Sequence, residues 1–159
     1  MISGEVMARK VFARLEEMGL IYPYPLQIAC EKLRIDIAFA PLGNCDGCYL
    51  RNRHNDRVLI LINRETVNQR VSFYRQRFSL AHEIGHVVMN HPPMAFLGSV
   101  VIGDRDPRHE IEANAFAAEL LMPKKILAKR GFMTPREIKL FCKVSLEAAE
   151  IRAKQMGWV

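Results

Sequence analysis

The chain has 159 residues, half of them hydrophobic, and 23 Lys and Arg against 17 Asp and Glu give it a formal net charge of +6. At this length and composition a chain buries a full core by itself, which excludes a scaffold that depends on metal or disulfides and predicts one domain over residues 1–159. The longest strongly apolar run, residues 58–62, is far too short to span a bilayer, so no membrane partner is expected.

Residues 4–18 predict an amphipathic helix with Val6, Val11, Phe12 and Leu15 among its apolar positions. Glu5, Arg9, Lys10, Arg14, Glu16 and Glu17 interrupt those positions, so nothing here reads as a signal peptide, and a soluble cytoplasmic protein is expected. Pro23 and Pro25 precede a second helix, 25–33, and residues 35–40 read as a strand. Cysteines of a cytoplasmic chain stay reduced, and Cys30 and Cys142, in apolar helical surroundings, are expected to be buried thiols. Cys45-Asp46-Gly47-Cys48 has C-x-x-C spacing, which can bind metal or do redox chemistry. It lacks the second ligand pair of a zinc knuckle, and Asp46-Gly47 reads as a hairpin turn, not as the start of a thioredoxin-like helix. That reading makes residues 49–51 and 58–62 paired strands.

The next segment, a helix predicted over 76–90, carries His82-Glu83-Ile84-Gly85-His86, an H-E-x-x-H motif. Residues at i and i+4 share a helical face, about 40° apart, so both imidazoles can converge on one ion, with Glu83 placed to take a proton from water. A surface helix that happens to bear two histidines is the plain alternative, but Phe78, Ala81, Gly85, Val88 and Met89 recur at the spacing of a half-buried helix. A catalytic zinc needs a third protein ligand. The metzincin pattern would put Gly at 89 and His at 92, where the chain has Met89 and Pro92. His91 misses the place by one residue and suits the helix end, where an imidazolium meets the negative pole of the dipole.

Residues 108–122, rich in Ala and Leu and stopped by Pro123, predict a helix that supplies the third donor. Its apolar face runs through Ala113, Phe116, Ala117, Leu120 and Leu121, with Glu110 and Asn114 together at the edge of that face. A carboxylate there needs a partner, and a metal is a good one. Glu110 is favoured over Glu112, which lies about 160° around the axis from Asn114. Asn114 is placed to hold a ligand side chain from behind.

Arg77-Phe78-Ser79-Leu80-Ala81-His82-Glu83-Ile84-Gly85-His86, followed by Glu110-x-x-Ala113-Asn114-x-Phe116-Ala117-Ala118-Glu119-Leu120-Leu121-Met122-Pro123, resembles the ImmA/IrrE family of zinc metallopeptidases. The resemblance covers residues 75–123 closely and extends more faintly through Val144-Ser145-x-x-Ala148-x-x-x-Arg152. It implies one zinc per chain held by His82, His86 and Glu110, a gluzincin-like set, with Glu83 as general base. It also implies a protein substrate, because members of that family cleave helix-turn-helix repressors of mobile elements or stress regulons. Two imidazoles and one carboxylate suit zinc, with manganese the alternative.

In the chemistry proposed, the metal polarises the scissile carbonyl and activates water, and Glu83 moves the proton to the leaving amine. The oxyanion needs a further electrophile, for which Tyr49, Tyr74, His91 and His109 are all candidates. The expected architecture is α+β, a zincin-like single domain whose small antiparallel sheet packs against the 76–90 helix, with further helices N- and C-terminal. Thr134-Pro135 and Ser145 start two final helices, 134–141 and 145–156. That pair and a pI near 9.4 support a rival reading as a DNA-binding module. The bases are spread along the chain, and Glu147 and Glu150 would face phosphates badly, so direct nucleic-acid binding is disfavoured. A metal-bearing binding protein without turnover is a third reading, opposed by Glu83, a base that a structural site does not need.

Overall fold

Ser3 accepts the amide hydrogen of Val6 and so caps α1 (Gly4–Glu17), whose buried Gly4, Ala8, Val11 and Leu15 follow helical spacing. The computed structural model describes residues 2–65, 71–93, 95–97, 100–102 and 106–159. After α2 (Leu26–Lys32) come three strands, β1 (Ile35–Ala40), β2 (Gly47–Arg51) and β3 (Val58–Asn63). The central helix α3 (Phe73–Val88) is followed by a two-stranded ribbon, β4 (Ala95–Leu97) and β5 (Val100–Ile102), then α4 (Pro107–Leu121). Three shorter helices close the chain: α5 (Lys124–Arg130), α6 (Pro135–Cys142) and α7 (Leu146–Gln155).

The architecture is the expected α+β domain, with one correction to the sheet. Its order is β1-β3-β2, and β3 runs antiparallel to β2 but parallel to β1, so the sheet is mixed. Val58, Ile60 and Ile62 of β3 alternate inward and pack beneath α3. A second correction concerns Asp46-Gly47, which is not a hairpin turn. Gly47 already lies in β2, opposite Ile62, and the β2–β3 reversal spans residues 52–57. All four cysteines are thiols, with Cys30, Cys48 and Cys142 buried and Cys45 half-buried. Among the described residues no helix is long and apolar enough to cross a membrane.

Helix α3 is buried on almost every side, since Leu80, Ala81, Ile84 and Val87 face the core while Arg77, Glu83 and His86 are also covered. Helix α4 packs between α1 and α3. Both contacts depend on glycine. A Cβ on Gly85 would lie 3.0 Å from the Phe116 ring, and one on Gly4 would lie 2.0 Å from the Glu112 carbonyl oxygen. The first is the close approach that brings α4 against the motif-bearing face of α3. The second has no flexible neighbour to yield, because the obstacle is backbone. Gly4→Ala is therefore expected to destabilise the fold by about 1–3 kcal/mol, as overpacking does. A denaturant midpoint equal to that of the parent would show that α1 and α4 do not make this contact.

The two last helices open on well-formed caps: Thr134 and Glu137 make a reciprocal capping box, and Ser145 accepts the amide hydrogen of Ala148. Lys143, between them, adopts a left-handed conformation. Arg152 of α7 is buried, 3.4 Å from the buried Glu119 of α4, which ties this pair of helices to the core.

Candidate active site

One helical turn separates His82 from His86 on α3, and the close α3–α4 packing sets Glu110, in the first turn of α4, across from both. The two Nε2 atoms are 2.9 Å apart, and the Glu110 oxygens lie 3.1 Å from His82 Nε2 and 3.1 Å from His86 Nε2. Among the described residues this trio is the one set of His, Cys, Asp and Glu side chains whose ligand atoms all fall within 4.8 Å of one another.

The donor set fits a tetrahedral metal. Bonds of about 2.0–2.1 Å place the donors of such an ion about 3.3 Å apart, close to the spacing here. The hydrogen bonds behind the ring atoms also orient them suitably. His82 Nδ1 lies 2.9 Å from Asn114 Oδ1, an acceptor, so Nδ1 carries the proton and Nε2 presents its lone pair.

His86 is oriented by a longer chain. His91 Nε2 lies 2.9 Å from Glu112 Oε2, and His91 Nδ1 lies 2.9 Å from His86 Nδ1. The carboxylate draws the His91 proton to Nε2, which leaves Nδ1 to accept the Nδ1–H of His86, and His86 Nε2 is then free of a proton. Burial pushes the His91 imidazole below its ordinary value, against the pull of Glu112, and the neutral ring is the form this chain requires. From sequence, His91 suits the helix end as an imidazolium. It does follow the end of α3, but its ring folds back onto His86 and stacks on His109 at 4.1 Å between centroids.

A cleft of about 360 Å³ opens in front of the trio, lined by His82, Glu110 and Asn114 together with Glu83, Asp46 and Cys45 among others. Glu83 is 2 % exposed, wedged so closely against β2 that a Cβ on Gly47 would lie 3.2 Å from Glu83 Cγ. The same Cβ would lie 3.1 Å from the Leu61 carbonyl oxygen and 3.2 Å from Ile62 Cδ1, so crowding from β3 and α3 together, not a turn, favours glycine at 47. The loop before β2 is fixed from two sides. Asn63 accepts from Leu42 N and donates to the Gly43 carbonyl, and Asp46 pairs with Arg75 of α3 at 2.6 Å.

Of the four candidates for stabilising an oxyanion, none lines this cleft. Tyr49 is buried and donates its hydroxyl to the His91 carbonyl. Tyr74 lies in the first turn of α3, about 12 Å along the axis from His82, with Lys139 over its ring. His91 and His109 sit behind His86, on the side away from the cleft mouth. The loop wall at Cys45 and Asp46 and the supports His91 and Glu112 were not found from sequence as parts of one site. A lone Gly beside a Cys gives little signal, and the His91–Glu112 pair is separated by 21 residues.

Residues 30–154 match the peptidase M78 family model, described as an IrrE N-terminal-like domain. The chain is also similar to two proteins named radiation response metalloprotease IrrE. One, from Deinococcus radiodurans, is 35 % identical over 98 residues, covering 60 % of this chain and 27 % of the relative. The other, from Deinococcus deserti, is 36 % identical over 96 residues, covering 58 % of this chain and 31 % of the relative. The matches thus span about three-tenths of the length of each relative.

Proposed function

The chain belongs to the peptidase M78 family of IrrE N-terminal-like domains, and on that premise we propose that it is a metal-dependent endopeptidase. The observation that carries the reading is the convergence of His82, His86 and Glu110 on one point beside the buried Glu83 at the floor of a cleft. In this proposal those three residues hold one zinc ion. Zinc held there supplies Lewis acidity toward a scissile carbonyl and makes water a nucleophile at neutral pH.

The chain's own groups do the rest. Glu83 accepts the proton released as water attacks and delivers it to the departing amine, so no covalent adduct with the protein forms. Asn114 keeps His82, and Glu112 through His91 keeps His86, in the tautomers that leave both Nε2 atoms unprotonated. Gly47 confines Glu83 from the β2 side.

The substrate we assign is a regulatory protein, such as a helix-turn-helix repressor, cut at a specific site in the cytoplasm. Support comes from the family resemblance and from the radiation-response metalloprotease name of the two Deinococcus relatives. To test the assignment, new N-termini are sequenced by mass spectrometry in a host lysate treated with zinc-loaded or chelated protein. New termini confined to the zinc-loaded sample support a peptidase and identify what it cuts. Identical termini in both samples reject it.

Metal removal is expected to separate activity from folding. The buried apolar cluster extends through α1, α2, the sheet, α3, α4, α6 and α7 and owes nothing to the metal. A chelator is therefore expected to abolish cleavage while the far-UV circular dichroism stays that of the loaded protein. Loss of the helical signal on chelation would make the metal a scaffold.

A further inference from the structure

Behind the active-site helix lies a second cavity, of about 210 Å³, bounded by α2, β1, α3 and the turn between α6 and α7. Arg77 lines it and is 8 % exposed, with no hydrogen-bond partner for its buried Nε. No carboxylate pairs with this guanidinium among the described residues, and none lines the cavity. The titratable groups that act on it most are Tyr22, Tyr24 and Cys142, and burial pushes the pKa of each of them up, so all three are uncharged at neutral pH. Tyr22 is already committed, donating its hydroxyl to the Leu121 carbonyl.

A buried cation without a counter-ion is costly, and proteins pair such groups. Lys143, also on the cavity wall, adds a second positive charge and favours an anion. Two aromatic side chains, Phe39 and Phe73, are 43 % and 60 % exposed on the same cavity, an apolar surface that a fully hydrated ion would not need. A cavity of about 150 Å³ accepts benzene, so this one accommodates a ring bearing one carboxylate.

We propose that this cavity binds a small organic carboxylate, its anionic group against the Arg77 guanidinium, its ring or branched body against Phe39 and Phe73. A planar guanidinium matches a carboxylate in fork geometry, through charge-assisted bonds. The site is distinct from the active-site cleft: Arg77 precedes His82 by five residues, which puts it about 140° around α3.

The test is titration of benzoate into the zinc-loaded full chain, followed by amide NMR, with benzamide as the uncharged isostere and inorganic phosphate as the bare anion. Saturable shifts at Tyr24, Leu26, Gln76 and Leu80 are expected with benzoate. Benzamide and the Arg77→Gln variant are each expected to bind about ten- to hundredfold more weakly, the loss of a charge-assisted bond. Lys143→Asn keeps the left-handed backbone that Asn tolerates. It is expected to weaken benzoate severalfold, and it carries the test if Arg77→Gln does not fold. Equal binding of benzamide, benzoate shifts confined to residues 110–114, unchanged affinity in the variants, or phosphate binding as tightly as benzoate would each overturn the proposal.

Discussion

Glu83→Gln is expected to lower cleavage by about 10²–10⁴-fold, the range of a lost general base, while the protein keeps one metal per chain. The change is isosteric, which matters because Glu83 is almost fully buried and confined by Gly47. A larger substitution would displace β2 and confuse misfolding with lost chemistry. An amide can preserve the packing and accept or donate a hydrogen bond, but it cannot take a proton from water at neutral pH. Glu83 is also not one of the three side chains whose donor atoms converge, so metal content and turnover should part company. Both are measured on one preparation, by elemental analysis and by the rate of appearance of new N-termini. A metal-free variant would make Glu83 a ligand. A variant that retains metal and full turnover would place the base elsewhere in the cleft.

Much of this arrangement was legible because it rests on helical periodicity. His82 and His86 share a face by their spacing alone, and the apolar stripe of α4 leaves Glu110 and Asn114 on its border. The caps at Thr134 and Ser145 were legible because their chemistry is local. Features set by distant partners were not. The parallel pairing of β1 with β3 arises because β3 inserts between β1 and β2, and nothing in residues 35–40 encodes that. Asp-Gly at 46–47 is a strong hairpin signal, yet the space a side chain at Gly47 would need is taken by Leu61, Ile62 and Glu83, all distant in the chain. The bounds of helix α5 are not legible, because seven residues are too few to show a period. Spacing along a helix, or a place at its end, gives no sign that His91 contacts His86. The chain in fact turns after Val88, and Asn90 takes a positive φ of 56° that returns the ring to the site.

The two glutamates of the first turns of α4 are expected to differ in what they contribute to metal affinity, and the difference separates a ligand from a support. Glu110→Ala removes one of three donors, and affinity is expected to fall by more than the hundredfold that marks the upper end for losing an outer partner. Glu112→Ala leaves all three donors in place but frees His91, and with it the tautomer and orientation of His86, so a loss of about 10–100-fold is expected. His91→Ala should resemble Glu112→Ala, and the double variant should lose little more than either single one, because both act through the same ring of His86. Competition with a chromogenic chelator measures all four. Equal losses for Glu110 and Glu112 would remove the distinction between them, and a larger loss for Glu112 would make it the ligand. Additive losses for Glu112 and His91 would break the chain that links them to His86. The asymmetry follows from placement on one helix: two residues apart, Glu110 and Glu112 lie about 160° from each other around the axis, so only one can face the α3 imidazoles directly.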